Sequence, residues 1–73
     1  MAQEKVESPI TGKITDVNVS QGSMVKEGDT LCLLESMKME NPILAPVEGT
    51  VAEVAVSSGQ VVEAGDLLAI IEY

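Results

Sequence analysis

Apolar and polar residues alternate in short runs along this chain, a pattern typical of half-buried β-strands. The same pattern occurs twice, at Ile14, Val17 and Val19 and at Val51, Val54 and Val56. Residues 31–34 and 67–71 are apolar throughout, as expected for core strands, and a Gly-Asp turn precedes each run. No window keeps a helical i, i+3, i+4 apolar stripe over three turns without meeting glycine, proline or clustered β-branched residues. We therefore expect little or no helix.

An internal repeat accounts for this recurrence. A shift of 37 positions aligns residues 6–35 with residues 43–72 without a gap, and eleven of the thirty aligned pairs are identical. All six glycines fall into aligned pairs, namely Gly12 with Gly49, Gly22 with Gly59 and Gly28 with Gly65. Glycine is favoured where φ is positive or where backbones approach closely, so each half is expected to turn at the same places.

The repeat predicts an all-β fold in which two similar halves pack as two sheets around one core, related by an approximate twofold axis. This architecture is a flattened barrel or sandwich. A chain of 73 residues has room for one core, so we expect a single domain, residues 1–73, with half-repeats at about 6–35 and 43–72. The segment that interrupts the repeat, residues 36–42, places Lys38 on the turn between the two halves.

Charge and composition exclude several classes of function. Twelve acidic residues against four lysines give a net charge of −8, which repels nucleic-acid phosphates and anionic membrane surfaces. The chain has no histidine and no arginine, so neither a histidine base nor a guanidinium clamp can form, and its carboxylates lack the spacing of a calcium loop. We expect no catalytic residue, no metal site and no nucleic-acid partner.

The single cysteine and the apolar runs indicate the compartment. A lone cysteine cannot form an internal disulfide, and Cys32 aligns with Ala69, so we expect a small core residue in a reducing cytoplasm. The first residues lead into no apolar leader segment, and the longest apolar run has five residues, too few to cross a bilayer. We therefore expect a cytoplasmic protein without membrane insertion.

Lys38 lies between two methionines, Met37 and Met39, on the expected turn. A lone lysine is most simply a solvated surface charge, and the methionines could be core residues. Alternation along a hairpin, however, cannot bury both neighbours and the lysine alike, and exposed large apolar side chains on a turn suggest a contact surface. An exposed amine on a rigid scaffold is open to acylation by another enzyme, which would supply the activated acyl group and receive the proton.

Residues 35–40, Glu-Ser-Met-Lys-Met-Glu, resemble the Glu-Ala/Ser-Met-Lys-Met-Glu signature of biotin carrier domains, and the repeat extends this resemblance to nearly the whole chain. The resemblance implies that Lys38 is the biotinyl-lysine and that biotin protein ligase recognises Met37 and Met39. It also implies a barrel-sandwich hybrid of two quasi-symmetric four-stranded antiparallel sheets, with the lysine at a hairpin tip. Glu35 and Glu40 could serve as recognition charges, although a solvated acidic face explains both more simply.

In this family, biotin carboxylase uses ATP and bicarbonate to carboxylate the ureido nitrogen of biotin. A carboxyltransferase then passes the carboxyl group to an acceptor or, in decarboxylases, takes it from a donor. The resemblance thus implies a biotin carboxyl carrier, a non-catalytic domain or subunit whose tethered biotin swings between two enzymes. Its partners would be biotin protein ligase, biotin carboxylase and carboxyltransferase, the last of which selects the acceptor.

Three other functions compete with this interpretation. A lipoyl carrier domain of a 2-oxo acid dehydrogenase complex shares the fold, duplication and lysine position, but usually has Asp-Lys-Ala where this chain has Met-Lys-Met. An unmodified adaptor would use its acidic surface and exposed methionines to bind a basic partner, and it would tolerate loss of Lys38. A hydrolase or redox enzyme would need a nucleophile paired with a base, which the composition does not offer.

Overall fold

Eight β-strands make up the computed structural model, which describes all residues from 1 to 73. In chain order they are β1 (Gln3–Glu7), β2 (Gly12–Val17), β3 (Met24–Val25), β4 (Thr30–Ser36), β5 (Met39–Leu44), β6 (Gly49–Val54), β7 (Val61–Val62) and β8 (Leu67–Glu72). They form two four-stranded antiparallel sheets: the lysine sheet, of order β5-β4-β2-β7, and the terminal sheet, of order β1-β8-β6-β3. The predicted fold class is confirmed, and the sheets stay separate, as in a sandwich, instead of closing into a barrel.

The two sheets have the same strand pairing at positions 37 residues apart. In the lysine sheet, Cys32 of β4 faces Ile43 of β5, and the equivalent residues of β8 and β1 face each other in the terminal sheet. The register of β2 against β4 shifts between Ile14 and Asp16, and β6 shifts against β8 at the equivalent point. Such a bulge places two residues of one strand against one of its neighbour, so Thr15 has no direct partner in β4.

An aliphatic core joins the two sheets. Thirteen buried residues form one cluster, in which Ile14, Leu34 and Ile71 are completely buried. Burying a side chain of this size contributes about 1.5–3 kcal/mol to stability. Tyr73, the only aromatic residue, is exposed, so aliphatic packing holds the fold together as the composition predicts. Because side chains alternate between the core and solvent, this packing determines which face of each strand points outward.

Two of the six glycines are required by close backbone contact. The other four have φ between 91° and 94° and occupy turns, as the sequence predicts: Gly22, Gly28, Gly59 and Gly65. Gly12 and Gly49 instead begin strands β2 and β6. A Cβ atom on Gly12 would overlap the carbonyl oxygen of Glu35, and one on Gly49 would overlap that of Glu72. This pair therefore marks two places where neighbouring strands approach closely, and the sequence comparison alone does not distinguish it from the turn glycines.

The chain ends lie far from the end of β4, in a molecule 36 Å long. Gly12 lies beside the last residues of β4. Four residues before it, the carbonyl of Ser8 accepts a hydrogen bond of 2.7 Å from the amide of Gly65, just ahead of β8. Strand β8 therefore begins near the end of β4 and runs away from it. At the far end of β8, Ala2 and Tyr73 exchange two backbone hydrogen bonds of 2.9 Å.

Gly12→Ala is expected to destabilise the fold by about 1–3 kcal/mol, the usual cost of forcing an atom into a packed position. The added Cβ meets backbone, which cannot move aside as a flexible side chain would. Urea unfolding measures this free energy. Thr11→Ala, at the exposed residue next to it, should change stability by less than about 0.5 kcal/mol. Equal stabilities for the two variants would contradict the close-contact explanation.

Cys32 is 3% exposed, which confirms it as a core residue, and burial raises the pKa of its thiol. The native thiol should therefore react with a disulfide reagent far more slowly than in urea, because the thiolate is the reactive form. Burial keeps the native thiol neutral, whereas the thiol of the unfolded chain ionises as the pH rises. The free energy of unfolding should therefore fall as the pH rises past the value at which the unfolded thiol ionises. Ser58→Cys in a Cys32→Ala background gives an exposed control thiol. Equally fast reaction of native Cys32 would show that the core opens readily.

Candidate modification site

A two-residue turn joins β4 to β5. Ser36 and Met39 face each other at the ends of these strands, and Met37 and Lys38 form the connection. Both turn residues have positive φ, 54° for Met37 and 64° for Lys38, which is the requirement of a type I′ hairpin turn. A residue with a side chain loses roughly 1–2 kcal/mol in this left-handed conformation. Every other positive φ in the chain belongs to glycine, so this turn keeps two side chains at an energetic cost.

The side chains at this turn point into solvent. Met37 is 91% exposed and Met39 is 66% exposed, and Lys38 between them is exposed as well. The alternative that both methionines belong to the core is therefore wrong. Two exposed apolar side chains beside an amine form a small contact surface with no role in packing. An amine at this position fits a group attached through an amide bond, because neither neighbouring side chain is folded into the protein beneath it.

Glu35 and Glu40 lie on the outer face of the lysine sheet, next to the turn. They face each other across β4 and β5, and Lys13 of β2 is the neighbour of Glu35 on its other side. Two carboxylates directly opposite one another repel. Glu40 also accepts a hydrogen bond of 3.0 Å from the hydroxyl of Thr15. Both carboxylates thus belong to the surface just below the amine.

The sequence did not point to two polar contacts of this hairpin. The Asn41 side-chain amide lies 3.4 Å from the backbone carbonyls of Leu34 and Met39, and Thr15 reaches Glu40 from β2. Neither contact follows from spacing along the chain, because each depends on how side chains lie across the sheet. Thr15 had one available signal, which is that its partner in the repeat is alanine.

The turn offers an exposed amine with neither a histidine nor an exposed thiol beside it. The chain contains no histidine, and its one thiol is buried in the core. No group of three or more cysteine, aspartate or glutamate side chains is placed to hold a metal ion. No helix in the structure has the length and apolar character needed to cross a membrane.

Comparison with known proteins identifies relatives of this domain. A family model described as "Biotin-requiring enzyme" matches residues 4–71. The methylmalonyl-CoA decarboxylase gamma subunit of Veillonella parvula is 55% identical over 42 residues, which cover 58% of this chain and 33% of that subunit. The biotinylated protein TB7.3 homolog of Mycolicibacterium smegmatis is 52% identical over 42 residues, covering 58% and 59% of the two chains. The matched segment is thus a third to three-fifths of the length of these relatives.

Solved structures share both fold and sequence with this chain. Urea carboxylase of Kluyveromyces lactis superposes with a TM-score of 0.91 and 33% identity, over 99% of this chain and 6% of that one. A single-chain, multi-domain long-chain acyl-CoA carboxylase superposes with a TM-score of 0.86 and 31% identity, over 93% and 7%. The common element is one small domain within a much larger carboxylase. Because the family model covers nearly the whole chain, this protein belongs to the biotin-requiring enzyme family, as a biotin carrier domain.

Proposed function

We propose that Lys38 is biotinylated and that the domain carries a carboxyl group between the active sites of a biotin carboxylase and a carboxyltransferase. The main support is the position of Lys38, an exposed amine on a two-residue turn with exposed Met37 and Met39 on either side. The family model covers this turn, and residues 35–40 match the signature of biotin carriers. We further propose that residues 1–73 act as one carrier unit in the cytoplasm.

Attachment of biotin requires the Lys38 amine to reach an activated carboxyl group in another enzyme. The amine Nζ attacks the acyl carbon, an amide bond forms, and the activating group and a proton leave. Biotin protein ligase supplies this catalysis in our proposal, and the hairpin supplies position. Met37 and Met39 would contact the ligase, and Glu35 and Glu40 would act as recognition charges beside them.

The sandwich acts as a rigid base for the attached group. When attached, biotin supplies a ureido nitrogen that can hold a carboxyl group. Lys38 provides a flexible arm, and the buried strands below it keep the turn in place. A tether of this kind raises the effective concentration of the attached group at each active site it can reach.

The partners decide the substrate in this proposal. Two of the relatives are named as a methylmalonyl-CoA decarboxylase subunit and a urea carboxylase, and these names cite different substrates. A carrier domain of one fold therefore occurs in proteins named for unlike reactions. We propose a non-catalytic carrier for this chain, with biotin carboxylase and carboxyltransferase as the partners that select and transform the substrate.

Lys38→Arg is expected to abolish biotinylation and leave the fold intact, because an exposed turn lysine packs against little and a guanidinium is always charged. After incubation with ATP, biotin and biotin protein ligase, intact mass should show one adduct on the wild type and none on the variant. Lys26→Arg, at an exposed lysine of another turn, should be modified like the wild type. Parallel incubation with lipoate and lipoate ligase tests the lipoyl alternative. A lipoyl adduct alone, or a biotin adduct on Lys38→Arg, would overturn the proposal.

Met37→Gly is expected to stabilise the domain by about 1 kcal/mol, since glycine adopts the left-handed conformation without steric cost. The same change should lower kcat/KM for biotinylation, because it removes an exposed side chain next to the amine. Urea unfolding and ligase kinetics measure the two effects. Met24→Gly, at an exposed methionine of β3, is the matched control and should leave biotinylation unchanged. Wild-type kinetics for Met37→Gly would exclude Met37 as a ligase contact.

A further inference from the structure

Thr15 contacts Glu40 across an intervening strand. The Thr15 hydroxyl donates a hydrogen bond of 3.0 Å to the Glu40 carboxylate, and the carbonyl of Leu33 is a more distant acceptor at 3.5 Å. Thr15 is in β2 and Glu40 is in β5, and β4 lies between these strands in the lysine sheet. The hydroxyl has one proton, and the closer, charged acceptor makes the stronger bond. The contact therefore links the edge strand β5 directly to β2, past the intervening strand β4.

The terminal sheet has a different contact at the equivalent place. The repeat aligns Thr15 with Ala52 and Glu40 with Gln3. Ala52 has no hydroxyl, and the Gln3 amide donates to Glu72 of the adjacent strand β8, at 3.4 Å. The backbone register, by contrast, is the same in both sheets, including the bulge beside Thr15. The bond that spans three strands is thus a feature of the half that contains Lys38.

This bond acts on the strand that leaves the lysine turn. β5 is an edge strand, so β4 is its only neighbour in the sheet. Glu40 is the second residue of β5 and follows Lys38 by two positions. Ends of edge strands open locally at low free-energy cost. A hydrogen bond from β2 to the start of β5 opposes such opening, and the bulge places Thr15 on the outer face where it can reach Glu40.

We propose that Thr15 is a positioning residue for Lys38. Acting through Glu40, it holds the start of β5 against the lysine sheet and so fixes the turn that presents the amine to the acylating enzyme. Small displacements of a reacting group lower rates strongly, so a fixed turn favours acylation. The inference rests on the proposed biotinylation of Lys38 and adds to it a residue outside the signature segment 35–40.

The test compares Thr15→Val, which removes the hydroxyl and keeps the size, with Thr15→Ser, which keeps the hydroxyl. Thr15→Val should lower kcat/KM for biotinylation by biotin protein ligase about fivefold, the factor expected for one exposed hydrogen bond. Glu40→Ala should lower it by at least as much, because it also removes a proposed recognition charge. Thr15→Ser should restore the wild-type value. In a Glu40→Ala background, Thr15→Val should have no further effect, since the contact is already lost. Thr50→Val, on β6 of the terminal sheet, is the matched control and should keep wild-type kinetics.

Hydrogen exchange measures the same contact without biotin. The β5 amides nearest the turn should exchange about fivefold faster in Thr15→Val than in the wild type, with the terminal sheet unchanged. If the wild type accepts no biotin, the proposed function fails, and exchange still decides whether Thr15 holds β5. Wild-type exchange in Thr15→Val would overturn the positioning role. Unchanged kinetics, or a further loss when Thr15→Val is added to Glu40→Ala, would overturn it as well.

Discussion

Burial of Leu34 and Ile43 fixes the register of the β4–β5 hairpin, and the position of Lys38 depends on that register. A slip of one residue would turn Leu34 towards solvent and bring the carboxylate of Glu35 into the core, so one alignment is strongly favoured. That alignment leaves two residues for the connection, and the right-handed twist of the strands then requires positive φ at both. The left-handed conformation of Met37 and Lys38 is therefore a consequence of core packing, at positions where glycine would fit more easily.

The two halves share their strand register, and the proposed site lies where they differ. In the repeat, Lys38 corresponds to Met1 and Met39 corresponds to Ala2. The position that is a closed turn in the lysine sheet is thus a pair of chain ends in the terminal sheet, joined by the backbone hydrogen bonds of Ala2 and Tyr73. Equivalent positions of the two halves thus hold an exposed amine in the lysine sheet and the paired backbones of Ala2 and Tyr73 in the terminal sheet.

The fold could be predicted from the sequence because the spacing of apolar residues and glycines follows the strands and turns. Alternation around Ile14 and the paired turn glycines determine strands and turns, and the break in the repeat places Lys38 on a connection. The contact of Thr15 with Glu40 could not be predicted in this way, because it joins strands whose order in the sheet follows from tertiary packing. Gly12 is similar, since a glycine required by close strand approach has the same spacing as one required by a turn.

In the proposed function, the domain visits two active sites in turn and has to leave each of them. The exposed apolar surface at its turn is small, consisting of Met37 and Met39, and a contact of this size favours rapid release. The net charge of −8 acts over longer distances and affects the rate of encounter with a basic surface more than the lifetime of the complex. Encounter therefore depends on the carboxylates of the whole sandwich, whereas chemistry depends on one amine. Because these properties reside in different residues, the proposal allows enzymes with unlike substrates to use one carrier surface without any change at Lys38.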